Sequence, residues 1–474
     1  MARVVVVGGG FAGMAAACRL SGDGHSVTLL EASLRLGGRA ASFVHRGEMI
    51  DCGQHVLLRA CGAAQGFLER IGASDAVSFQ DSLAIPLLFD GRRLVLRSWP
   101  LPGVTHLLPG LLGYALLSGR ERIAASRAGL ALWASRSPRD ETFEQWLVRH
   151  GQTERIIRRF WDPIVVATLN APSSAISFRA ARHVFHEALF VPHGADVGLF
   201  TVPLGDIFQA AHRYLEARGG TVEIGSPAEA FSVFDGRACG VRLSTGREIA
   251  GDAVIVAIPP DALAELASDL PELARTVDDA QRLEWAPIVN VHLTFDRHVL
   301  DDAFAVGIDS PIQAIFRRGA PRGASTQASA PPPAAEGAEA IVLSQSAAAE
   351  WIDQADEEIV GRLSDALRDL LPAAWDAVLL DSHVLRHRRA TFVPSPGSDA
   401  LRPKARTPIG GLYLAGDWTA TGWPSTIESA VLSGIYAAAA LESDAATRCP
   451  VASEADAATC SHPESGIEKG KSEA

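Results

Sequence analysis

The residues with the clearest chemical spacing stand near the start of the chain, in Gly8-Gly9-Gly10-Phe11-Ala12-Gly13. Of the spaced glycines Gly8, Gly10 and Gly13, one permits a tight turn, one lets the backbone approach a pyrophosphate, and one lets a helix pack closely on a strand. Glu31 follows where a carboxylate can accept hydrogen bonds from ribose hydroxyls, and Gly37-Gly38-Arg39 can bring backbone and a charged fork to the same pyrophosphate. A second constellation begins at Gly416-Asp417 and runs through a Thr/Gly/Trp loop to Ser425-x-x-Glu428, which reads as a capping box at a helix start. If that helix end faces a bound cofactor, its free N–H groups stabilise negative charge there, and Asp417 can hold the cofactor's sugar chain or pyrophosphate. Glu428, as the capping partner, then needs no chemical role.

These residues require positioning elements. Arg3–Val7 reads as a buried strand running into the glycines, with a helix over about 14–20, a second strand over 26–30 and Glu31 at its end. Residues 60–71 read as a helix and 83–96 as strands around the Asp90-Gly91 turn. From about 203 to 268 a helix, a strand, three short strands and a further strand follow, an order that can rejoin the first sheet. Residues 284–295 read as a strand of a second domain. Residues 319–340, with Pro331-Pro332-Pro333, read as an unordered low-complexity insertion, and 443–474 as a polar tail.

Composition bounds the partners. The 474 residues suit more than one lobe, and 47 % hydrophobic content supports a large core. Forty-three basic against fifty-five acidic residues, net −12, argue against a nucleic-acid partner. Only Lys404, Lys469 and Lys471 are lysines. Six dispersed cysteines fit neither a zinc site nor a disulfide framework, so a reducing cytoplasm is the simplest setting and no metal is expected. Residues 4–18 are apolar, but three consecutive glycines interrupt any export signal. Between Arg92 and Arg139 eight arginines face one acid, the composition of a segment lying on an anionic membrane surface or of core-packed helices whose arginines snorkel.

The stretch 4–13, Glu31, Gly37-Gly38-Arg39, the Asp51-Cys52-Gly53-Gln54-His55 turn and Gly416-Asp417-Trp418-Thr419-Ala420-Thr421-Gly422-Trp423-Pro424 together resemble the FAD-dependent amine oxidase and phytoene desaturase superfamily. Within it, Arg159-Phe160-Trp161-Asp162-Pro163 and Leu169-Asn170-Ala171-Pro172 are most similar to the squalene-associated FAD-dependent desaturases, or hydroxysqualene dehydroxylases, of hopanoid biosynthesis. The resemblance covers about residues 1–318 and 341–442. It implies an α/β fold: a discontinuous Rossmann-type FAD-binding domain (1–85, 205–260 and 385–442) interleaved with an α+β substrate- and membrane-facing domain (86–204 and 261–384). It implies FAD contacts at Gly8, Gly10, Gly13, Glu31, Arg39, Gly53 and Gln54, a backbone contact at Ala228, and flavin contacts at Asp417 and Ile427. It also implies conversion of hydroxysqualene to squalene, with hydride from reduced FAD, a long apolar isoprenoid substrate and peripheral membrane contact. No second strand-flanked glycine fingerprint offers a nicotinamide site, so the electron donor stays open.

Such chemistry needs one proton donor. His55 and Asp162 are the candidates, although Asp162-Pro163 before an apolar run also reads as an N-cap with proline at N1, and His55 as a histidine packed beneath the cofactor. His183, His186, Glu187 and Asp196 read as solvated. A carotenoid-type desaturase or isomerase is the runner-up. Amine oxidation on this fold commonly uses a lysine near the flavin, and none precedes Lys404. A prenyl-lipid carrier without cofactor would not need the intact glycine fingerprint.

Overall fold

Arg3–Val7 lies at the centre of a five-stranded parallel sheet, between Ser26–Glu31 and Ala253–Val256, with Thr221–Ile224 and Leu412–Leu414 at the edges. Val4 to Val7 are buried, as a parallel strand covered on both faces requires. Helices Phe11–Gly22 and Ile427–Arg448 cross on one face of this sheet and approach closely where Gly434 meets the backbone of Ala12. The computed structural model describes residues 1–136, 139–318 and 337–448. The architecture is the mixed α/β class, with the sheet assembled from three distant stretches of chain.

A second, seven-stranded sheet has the order Leu379–Phe392, Trp285–Phe295, Glu339–Gln345, Ala314–Arg317, Phe304–Gly307, Ala84–Phe89, Arg92–Arg97. Its pairings are antiparallel except between Phe304–Gly307 and Ala84–Phe89. One face buries Val289, Val291 and Leu293 against helix Asp356–Leu370; Asn290 stands on the opposite face by the two-residue alternation. Helices between residues 103 and 189 pack over the far end of this sheet around Phe143, Trp146, Trp161 and Phe185.

Three boundary expectations need correction. The domain boundary expected at 384/385 falls inside strand Leu379–Phe392, which belongs whole to the seven-stranded sheet because it pairs along its length with Trp285–Phe295. Residues 339 and 340, assigned to the insertion, open the strand Glu339–Gln345, because the Glu339 carboxylate accepts the N–H groups of Val299 (2.7 Å) and Leu300 (3.0 Å); residues 319–336 lie outside the described residues. The tail expected from 443 starts later, since helix Ile427–Arg448 continues past that point, tied down by Arg19 to Glu442 (2.9 Å) and Arg406 to Asp444 (2.9 Å). Residues 449–474 also lie outside the described residues.

The Asp162-Pro163 pair is not a helix start. Thr153 caps the run, its hydroxyl accepting from Ile156 N, and the helix continues from Glu154 through a π-helical turn, Ile157–Trp161, into Asp162–Leu169. Pro163 has no N–H and crowds the carbonyl four residues back, that of Arg159. The wider π turn relieves the crowding, and the Tyr114 hydroxyl donates to the Arg159 carbonyl at 2.7 Å in place of the missing N–H.

Candidate active site

A cavity of about 1890 Å³ runs from the glycine fingerprint, between the two sheets, to the helical region. Ligand sites for drug-sized molecules are roughly 300–1,000 Å³, so this one has room for a cofactor and a second, long ligand together.

At the fingerprint end, helix Phe11–Gly22 starts after Gly10 with no side-chain cap, so its first N–H groups remain available to an anion. Gly8 has φ +106°, and a Cβ on Gly13 would collide with the Gly8 carbonyl, so both positions demand glycine. Glu31 lines the cavity with one oxygen accepting Gly9 N–H (2.7 Å) and the other Ser33 N–H (2.8 Å), which orients the carboxylate and leaves lone pairs for hydroxyl donors. Ala228, at the start of strand Ala228–Phe234, also borders this end. The cradle therefore fits the diphosphate and ribose of a dinucleotide.

At the middle of the cavity the structure brings together Arg39, Asp417, Gly53, Gln54, His55 and Ile427. Arg39 pairs directly with the buried Asp417, whose second oxygen accepts from the Ser425 hydroxyl, and Arg39 also donates to Ala390 O at 2.6 Å. Asp417 thus holds Arg39 and the helix entry in one network, a second task beside any contact with cofactor.

The expected capping box at Ser425 and Glu428 does not form. Thr426 is the cap, its hydroxyl accepting from Ser429 N (3.1 Å), while the buried Glu428 carboxylate accepts the N–H groups of Ala63 (2.9 Å) and Ala64 (2.8 Å). Those N–H groups open helix Gly62–Arg70, which has no cap of its own. Glu428 fastens that helix to helix Ile427–Arg448, and burial pushes its pKa up.

His55 is placed at the cavity but in a form unsuited to giving up a proton. A carbonyl can only accept, so Nδ1 carries the hydrogen donated to Gly53 O (2.8 Å) and Nε2 is left as an acceptor. Burial lowers its pKa to about 4, and the Gly53 hydrogen bond opposes this only in part. The ring is neutral at pH 7.

Beyond His55 the wall becomes apolar: Leu83, Ile85, Leu111, Phe160, Trp161 and Phe185 are among the lining residues. Besides the Tyr114 phenol, the ionisable side chains Arg158, Asp162 and Asp309 border this lobe. Asp309 is neutralised by Arg158 (3.0 Å) and Arg159 (2.5 Å). Asp162 forms no ion pair among the described residues; Oδ1 accepts from Ser173 N at 3.0 Å, and burial raises its pKa. Burial of a carboxyl without a counter-ion shifts it toward its neutral, proton-bearing form, and the Ser173 hydrogen bonding opposes that shift only in part.

The remaining candidates lie away from this point. His183 packs edge-on against Trp423 and burial lowers its pKa. His186 Nε2 lies 3.1 Å from Leu132 O. Asp196, expected to be solvated, is fully buried and paired with Arg59 (3.2 Å) and His193 (3.0 Å). Sequence reasoning missed Asn290, an amide between two valines of strand Trp285–Phe295, and Arg402, which gathers the loop after Asp417. The one described lysine, Lys404, does not line the cavity, and no group of three His, Cys, Asp or Glu among the described residues could hold a metal ion.

A family model described as flavin containing amine oxidoreductase matches residues 11–441. The 15-cis-phytoene desaturase of Glycine max is 25 % identical over 480 residues, covering 93 % of this chain and 80 % of that one. The zeta-carotene desaturase of Synechocystis sp. is 27 % identical over 483 residues, covering 93 % and 97 %. Among solved structures, an oxidoreductase from Methanosarcina mazei has a TM-score of 0.72 at 18 % identity, covering 91 % of this chain and 99 % of its own. A putative protoporphyrinogen oxidase from Exiguobacterium sp. 255-15 has a TM-score of 0.67 at 18 % identity, covering 93 % and 99 %.

Proposed function

Because the chain belongs to the flavin-containing amine oxidoreductase family and is a FAD-dependent oxidoreductase, we propose that it reduces hydroxysqualene to squalene, with Asp162 as the proton donor. The observation that carries this reading is the unpaired carboxyl of Asp162 in the apolar lobe. Protonated Asp162 gives its proton to the allylic hydroxyl, the C–O bond breaks, and water departs. Phe160, Trp161 and Phe185 offer ring faces to the positive charge that develops on the allyl system. Bound reduced FAD would supply a hydride in place of the departing hydroxyl, so that hydroxysqualene, a proton and a hydride balance as squalene and water. Gly8 to Gly13 and Glu31 would hold its diphosphate and ribose, and Arg39 and Asp417 would hold its pyrophosphate or ribityl chain.

The test is incubation of purified protein with FAD, dithionite and hydroxysqualene, and the expected product is squalene. The runner-up, desaturation of a phytoene-like polyene, is favoured by the names of the relatives, which are carotenoid desaturases. Absence of squalene, with new double bonds in phytoene given an electron acceptor, would replace the first reading by the second.

Asp162→Asn should lower kcat by roughly 10²–10⁴-fold, the usual contribution of a positioned acid. Because the acid form is the working one, wild-type kcat/KM falls as pH rises through the raised pKa of Asp162, and this limb disappears in Asp162→Asn. A pH–rate profile of both proteins with the same falling limb would remove Asp162 from the role.

The substrate reaches this lobe from an apolar surface. Helices Leu108–Leu112 and Gly119–Ala134 border the cavity through Leu108, Ser126, Gly129 and Leu130. Buried Leu111, Ala125, Ala128 and Leu132 pack them on the core, while Trp99, Leu112, Ile123, Leu130 and Trp133 stay exposed beside Arg120, Arg127 and Arg136. That mixture suits a monotopic contact with an anionic bilayer; no helix among the described residues is long and apolar enough to cross one. The double variant Ile123→Glu/Trp133→Glu is expected to lose most co-sedimentation with vesicles containing phosphatidylserine. Undiminished sedimentation would end the docking proposal.

A further inference from the structure

Four carboxamides border the cavity: Gln54, Asn170, Asn290 and Gln313. Two are closed by protein partners. Asn170 donates to Thr391 Oγ1 (2.8 Å) and Ala286 O (3.3 Å) and accepts from Ala347 N (2.6 Å). Gln313 donates to Ser346 O (2.9 Å) and accepts from Ser346 N (2.7 Å). Gln54 is half-exposed and reaches His55 O at 3.5 Å. Asn290 differs from all three: it is 1 % exposed, and neither Nδ2 nor Oδ1 has a hydrogen-bond partner among the described residues.

Its place makes this costly. Asn290 sits mid-strand in Trp285–Phe295, between Val289 and Val291, opposite Ser344 on one neighbouring strand and Leu385 on the other. A valine or leucine would suit the strand better, and an amide stripped of water without a partner is a standing penalty. The side chain lies under the Gly53-Gln54-His55 turn: a Cβ on Gly53 would be 3.7 Å from Asn290 Nδ2 and 3.4 Å from His55 Cε1. This is the part of the cavity bordered by the seven-stranded sheet, away from the fingerprint end.

We infer that Asn290 is a positioning residue for the flavin ring, its carboxamide supplying hydrogen bonds to the polar edge of the bound cofactor. A hydrocarbon substrate has nothing to offer an amide. A flavin ring edge has both acceptors and donors and gains hydrogen on reduction; an amide, with one N–H₂ and one C=O, matches it in either redox state. The inference rests on FAD as the cofactor, not on the choice of substrate. A substrate hydroxyl is the other source of such a partner, and the test separates the two.

Asn290→Leu keeps the branching at Cγ and the number of heavy atoms while removing the amide, with Asn290→Ser as the smaller alternative should the leucine protein fail to fold. The expected result is FAD binding weakened about tenfold, roughly 1.4 kcal/mol, and a displaced visible absorption band of the bound flavin. Apo Asn290→Leu should meanwhile melt at a higher temperature than the apo wild type, because the orphaned amide is gone; an amide with a purely structural role would lower it. Unchanged FAD affinity and an unchanged flavin spectrum in both variants would overturn the inference. If these stay unchanged while KM for hydroxysqualene rises, the amide serves the substrate hydroxyl and the flavin assignment is equally overturned.

Discussion

The Gly13→Ala protein is expected to purify without yellow colour and to bind added FAD at least 100-fold more weakly than the wild type, about 2.8 kcal/mol. Gly13 lies in the first turn of helix Phe11–Gly22, where any Cβ meets the carbonyl of Gly8 and the side chain of Ala257. Neither can yield, because Gly8 is itself held at φ +106° against the Ala257 backbone. The helix must tilt away from strand Arg3–Val7, and its free N–H groups leave the anion. Gly66→Ala is the control: a Cβ there meets nothing within 4 Å, so added helix propensity stabilises by about 0.5–1 kcal/mol with FAD binding intact. Equilibrium FAD titration of both proteins decides, and wild-type affinity in Gly13→Ala would refute the cradle.

Arg402→Met should be nearly as damaging by another route. The Arg402 guanidinium is buried, and its Nη2 donates to the carbonyls of Asp417 (3.2 Å), Thr419 (2.5 Å) and Trp423 (2.8 Å) and to Thr421 Oγ1 (3.2 Å). Its flat face lies over the Phe392 ring at 4.8 Å. One side chain thereby gathers the loop that carries Asp417 and Trp423 into the cavity wall. Removing it strands several buried acceptors, at a cost of about 1–3 kcal/mol for each one left without a donor. Lower thermal stability together with weakened FAD retention is expected, and Arg402→Lys should restore only part, since the shorter lysine stem does not carry its nitrogen to the position of Nη2 and has no planar group to lie over Phe392. Full FAD retention by Arg402→Met would show that the loop is held by other means.

What could be read in advance follows from how local each cause is. Phosphate binding is a backbone property of about six residues, so the fingerprint, its strand and its helix were legible. Glu428 was not: Ser-x-x-Glu spacing describes a local cap, whereas its partners at Ala63 and Ala64 lie 365 and 364 residues away. Asp162 was legible as an acid near the site, but its position inside a continuous helix depends on the Tyr114 hydroxyl reaching the Arg159 carbonyl. His55 was legible as a histidine at the turn; its protonation state was not, because that is set by burial. Asn290 carried a weak signal, one amide between Val289 and Val291, whose meaning depends on the other wall of the cavity.

The parallel sheet also sets a timetable for synthesis. Strand Arg3–Val7 pairs with Ala253–Val256, which in turn pairs with Leu412–Leu414. At about 5–20 residues per second of translation, the fingerprint strand, flanked early by Ser26–Glu31, waits at least about 10 s for its second neighbour and at least about 20 s for the sheet to be completed. During that interval the apolar lobe between them emerges with no closed cavity to hide in. A nascent chain of this design is therefore a client for chaperones that shield hydrophobic segments, and a ribosome stalled anywhere before residue 412 releases a product that cannot complete its cofactor sheet.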